Sequence, residues 1–100
     1  MNMTNLMRQA QKMQKQMEKK QEELTLKTLE VSGGGGAVKI TITGIREIKE
    51  IKIDPKVVDP EDVEGLEDLI MSAVNEAIRQ AEDLHNNEMS KISGGVNLPF

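Results

Sequence analysis

The chain contains no cysteine, tryptophan or tyrosine, and its single phenylalanine, Phe100, is the last residue. Without cysteine there are no disulfides, no thiolate metal sites and no cysteine nucleophile, which fits a reducing cytoplasm. Without aromatics, aliphatic residues and seven methionines must fill whatever core exists. Large rings normally carry much of the apolar area of a small core, so a partner subunit is expected to complete the burial. No apolar run reaches the length of a membrane span, and MNMTNLMRQAQKMQ lacks the continuous apolar segment of a secretion signal. A soluble, non-exported protein with no membrane association is expected.

The single histidine, His85, has no companion His or Cys and is expected at the surface. No metal set and no Ser-His-Asp arrangement can be assembled around it. The acids from Asp54 to Asp68 lack the spacing of a calcium loop and read as caps and helix-dipole charges. The run SGGGGAVK leads into a strand rather than a helix, which argues against a phosphate loop and for a hairpin or close-approach turn. The expectation is a non-enzyme with no cofactor, no metal and no small-molecule substrate.

Residues 1–100 form one domain, since two cores would each fall below the size at which burial offsets chain entropy. From Thr4, a candidate N-cap, to about Lys27 there is no Gly or Pro and most residues favour helix. Leu6, Ala10, Met13, Met17 and Leu24 recur at helical spacing as a narrow seam. At about 1.5 Å per residue the helix is roughly 35 Å long, so part of it must project beyond a small core. The period then changes to two. Leu29 and Val31, then Val38, Ile40 and Ile42, then Ile48, Ile51 and Ile53 predict three strands, with a bulge near Lys49–Glu50 where parity breaks. Asp59-Pro60-Glu61-Asp62 reads as a helix start with Asp59 as cap. Val63, Leu66, Ile70, Ala73, Val74, Ala77, Ala81 and Leu84 form the apolar face of a second long helix that Gly94-Gly95 end, before a VNLPF tail. The expected fold is α+β, an α-β-β-β-α protomer with a three-stranded antiparallel meander.

The formal net charge of −4 hides an asymmetry. Residues 1–20 carry Arg8, Lys12, Lys15, Lys19 and Lys20 against one acid, Glu18, whereas residues 61–100 carry Arg79 and Lys91 against nine acids. At 100° per residue, Arg8, Lys12, Lys15 and Lys19 fall within an arc of about 60°, opposite the apolar seam. They span roughly 16 Å, flanked by Gln9, Gln11 and Gln16, which can also donate to phosphate oxygens. A solvated face normally mixes signs; this one does not, which favours a polyanion partner.

LMRQAQKMQKQM, SGGGGAVKITITG, IKEIKIDPKVV, LEDLIMSAVNEAIRQAE and MSKISGG, in unbroken order over nearly the whole chain, resemble the YbaB/EbfC family of bacterial nucleoid-associated proteins. The resemblance implies a tweezer-like homodimer whose protruding helices grip double-stranded DNA with low sequence preference in the nucleoid. It places the basic helical segment on Arg8, Lys12, Lys15 and Lys19; the wider candidate interface adds Lys20, Gln9, Gln11 and Gln16. The competing expectation is a protein-interaction adaptor that uses the helical seam and makes no contact with DNA.

Overall fold

The computed structural model describes residues 2–92. Helix α1 (Met3–Leu26) leads into strands β1 (Thr28–Gly33), β2 (Val38–Thr43) and β3 (Ile48–Ile53), followed by helix α2 (Val63–Ile92). The strands form an antiparallel sheet in the order β1-β2-β3. The expected α-β-β-β-α arrangement is therefore present.

The sheet owes its register to alternation. Leu29, Val31, Val38, Ile40 and Ile42 share one face, and on β3 Ile53, Ile51 and Ile48 stand opposite Val38, Ile40 and Ile42. The register shifts between Thr41 and Ile42, leaving Lys49 as the extra residue of the expected bulge. Gly34–Gly36 form a tight turn between β1 and β2, as the hairpin reading of the glycine run requires.

Helix α2 lies across β1 and β2 and not across β3. Its contact row is Ala73, Ala77 and Ala81, all fully buried against Val31, Val38, Ile40 and Ile42. Methyl side chains at successive turns let the helix sit close to the sheet. At the tightest point a Cβ on Gly33 would lie 2.6 Å from the Ala73 Cβ, so only glycine fits there. An Ala77→Leu substitution forces extra methylenes into this seam, and a loss of about 1–3 kcal/mol is expected in thermal or urea unfolding. Unchanged stability would show that the seam is slack.

Two helix starts differ from the sequence reading. The N-cap of α1 is Asn2, whose side chain accepts from the Thr4 amide at 3.0 Å. Thr4 is already helical, because an earlier Asx residue takes the capping role. Asp59-Pro60-Glu61-Asp62 is a turn ahead of α2, with the Asp59 carboxylate accepting from Glu61 N at 2.9 Å. Asp62 caps the helix itself, accepting from Gly65 N at 3.0 Å. Pro60 fits the turn as well as a first helical position, which is why the sequence pattern allowed both. Among the expected apolar positions of α2, Val63 is exposed, while Leu69 and Ile78 join the packing. The expected helix end at Gly94-Gly95 and the VNLPF tail lie outside the described residues.

Candidate nucleic-acid interface

Helix α1 is anchored at one end only. Leu24 is buried, and the Gly44 amide donates to the carbonyls of Leu24 at 2.9 Å and Lys27 at 3.0 Å. A Cβ on Gly44 would meet the Leu24 carbonyl at 2.8 Å, so this junction also requires glycine. Going back along the helix, Lys20, Met17 and Met13 are half-buried, and every residue from Asn2 to Lys12 is exposed. The first half of α1 is an arm, as its length implies.

Arg8, Lys12, Lys15 and Lys19 are all exposed, the first two on the arm and the others on the outer face of the docked part. None of the four makes an ion pair or side-chain hydrogen bond among the described residues, unlike several other cations of the protein. Arg79 is held by Glu76 at 2.6 Å and Asp83 at 4.0 Å, and Arg46 by Glu82 at 3.3 Å. Gln9, Gln11 and Gln16 are exposed beside the stripe. The arrangement presents cationic and amide donors along one helix edge with no carboxylate in contact.

Lys20 stands apart from that stripe. It lies about 100° round the helix from Lys19, on the packing side. Its ammonium sits 3.0 Å from Glu23 and 3.3 Å from Glu88 of α2. Glu88 also receives Lys91 at 3.4 Å and Lys27 at 3.9 Å. The Lys20 pKa is pushed up, first by Glu23 and then by Glu88. The Glu88 carboxyl is held below its usual range by Lys20 and then Lys91. A carboxyl depressed in this way contributes stability above its unfolded range, and that contribution is lost as pH falls through the folded value. Beside it, His85 Nε2 and Gln21 Oε1 are 3.0 Å apart. His85 is thus half-buried between the helices rather than free at the surface.

The clasp around Glu88 was not anticipated from the sequence. Lys20 and Glu88 come together only when α2 folds back along α1, and no local spacing announces that. The carboxylates of Asp54, Asp59 and Asp62 all accept backbone N–H bonds, as the capping reading of the acids expects.

A projecting helix with an unpaired basic edge, carried on a small α+β body, has the make-up of a nucleic-acid-binding module. The model of the YbaB/EbfC DNA-binding family matches residues 1–96, and the chain belongs to that family. Its relatives bear the same stamp. A nucleoid-associated protein of Ruminiclostridium cellulolyticum is 67% identical over 95% of this chain and 83% of its own length. One from Clostridium acetobutylicum is 56% identical over 98% of this chain and 88% of its own. The fold matches the crystal structure of an uncharacterised protein from Helicobacter pylori with a TM-score of 0.82, at 24% identity, over 94% of this chain and 99% of the other.

Proposed function

We propose that this protein binds double-stranded DNA in the bacterial nucleoid with low sequence preference, as a homodimer, through the Arg8, Lys12, Lys15 and Lys19 stripe of each α1 arm. The observation that carries this reading is the stripe itself: four exposed cations on one helix edge with no carboxylate in contact. Gln9, Gln11 and Gln16 add donors to phosphate and sugar oxygens. The stripe offers no Asn/Arg pairing suited to reading base edges, so any preference arises from DNA shape and deformability.

The second subunit is supported by an uncovered apolar trough. Because α2 stops short of β3, Ile48 and Ile51 are 37% and 42% exposed although their register partners Ile42 and Ile40 are fully buried. Glu82, which reaches Arg46 in the β2–β3 turn, marks the flank of α2 turned toward β3. Ile78 and Met71 lie on that same flank by helical spacing, and Met71 is 58% exposed. β3 is also a sheet edge with free backbone donors and acceptors. A second copy that covers this trough completes the core and doubles the number of basic arms.

Gel shifts on several unrelated duplexes across a salt series test the reading. With four to eight cations engaged, log affinity should fall against log salt with a slope of roughly −4 to −7, at similar affinity for each duplex. Salt-indifferent binding, or no shift at all, would leave the protein-interaction adaptor as the surviving reading.

A further inference from the structure

The groove where α2 runs along α1 gathers more cations than helix packing requires. It is lined by Gln16, Lys19, Lys20, Glu23, Lys91 and Ile92. Glu88, with a side chain only 14% exposed, faces ammonium groups from three directions: Lys20 at 3.3 Å, Lys91 at 3.4 Å and Lys27 at 3.9 Å. These lysines come from both helices and from the residue after α1, so the convergence belongs to the tertiary fold and not to one helix face. The groove also lies at the foot of the Arg8-to-Lys19 stripe, since Lys19 belongs to both.

Cationic donors converging on two oxygens of one anion suit a backbone phosphate as well as a carboxylate. We propose that the groove between α1 and α2 is a further phosphate subsite, formed by Lys20, Lys27 and Lys91, which Glu88 occupies in the free protein as an internal stand-in for phosphate. A duplex whose backbone follows the stripe reaches the groove after Lys19, and its next phosphate exchanges with the Glu88 carboxylate. The exchange swaps one anion for another among the same lysines, so it yields little net charge neutralisation. Glu88 thereby weakens the grip and shortens the residence of the protein on DNA. The proposal rests on the duplex-binding reading above.

The test measures duplex affinity across a salt series for the full chain, for Glu88→Gln, and for Glu67→Gln, which removes one exposed acid from the opposite half of α2. Freeing the lysines adds about one phosphate contact per subunit. Glu88→Gln is therefore expected to bind roughly five- to tenfold more tightly at about 0.1 M salt, with a slope steeper by about 1 to 2. Glu67→Gln is expected to change affinity less than about twofold, because it reports only long-range charge. Adding Lys20→Gln to Glu88→Gln should remove most of the gain. Glu88→Asp, which draws the carboxylate back by one methylene, should show a smaller gain of the same sign and serves if the Gln variant loosens the helix pair. Equal gains from Glu88→Gln and Glu67→Gln, or an unchanged slope in both Glu88 variants, would overturn the subsite. A wild-type chain that shifts no duplex would instead overturn the underlying reading, and the subsite with it.

Discussion

Replacing Arg8, Lys12, Lys15 and Lys19 together with alanine is expected to lower duplex affinity by roughly a thousandfold at about 0.1 M salt. Each neutralised phosphate contributes about −0.9 to the salt slope, so four lost contacts remove between three and four decades at that concentration. The fold should survive. All four side chains are exposed and make no ion pair or side-chain hydrogen bond among the described residues. Alanine also favours helix at least as well as the residues it replaces. Anisotropy titration read beside circular dichroism and light scattering decides the matter: lost binding with an intact dimer is the expected pair of results. Retained affinity in a folded quadruple variant would mean that the stripe is a solvated face and that DNA is held elsewhere.

A second large effect is expected from Ile51→Glu. Ile51 stands on the uncovered face of β3 opposite the fully buried Ile40. Its partial exposure gives a carboxylate access to water in an isolated protomer, but against a second copy the charge would be desolvated and unpaired, which costs several kcal/mol. Light scattering should show a folded species near the protomer mass of 11.1 kDa, where the wild type gives about twice that. The DNA slope should roughly halve, because each particle then carries one arm, and affinity should drop by at least about a hundredfold. A variant that remains dimeric would place the subunit contact away from β3. A monomeric variant with wild-type affinity would show that one arm is enough.

These expectations draw on features of unequal visibility in the sequence. The strands were legible because alternation survives in Val38, Ile40 and Ile42, and the break in parity at Lys49 located the bulge. The stripe was legible because a helix without Gly or Pro turns sequence spacing directly into angular position. Helix starts were less so: Asn2, Thr4, Asp59 and Asp62 are all competent caps, and only the chain path selects among them. The groove around Glu88 lay out of reach for a different reason. Its members are separated by more than sixty residues, and a glutamate followed three residues later by a lysine looks like an ordinary helical pair. The placement of α2 over two strands rather than three is equally tertiary, since Ile48 and Ile51 carry the same apolar character as the buried isoleucines beside them.

The one-ended anchorage of α1 has a thermodynamic corollary. From Asn2 to Lys12 the arm has no tertiary burial to hold its helical form. It extends a helix already nucleated in the docked segment, so each added residue depends on propagation alone, where the balance between helix and coil is close to even. Arg8 and Lys12, and Lys15 and Lys19, are like charges four residues apart, a spacing that disfavours helix by a few tenths of a kcal/mol per pair. A phosphate backbone laid along that edge removes the repulsion. The helix–coil equilibrium of the arm is therefore linked to its ionic surroundings: fraying at its free end diminishes as polyanion accumulates along it, and the conformational entropy surrendered there is subtracted from the strength of the complex.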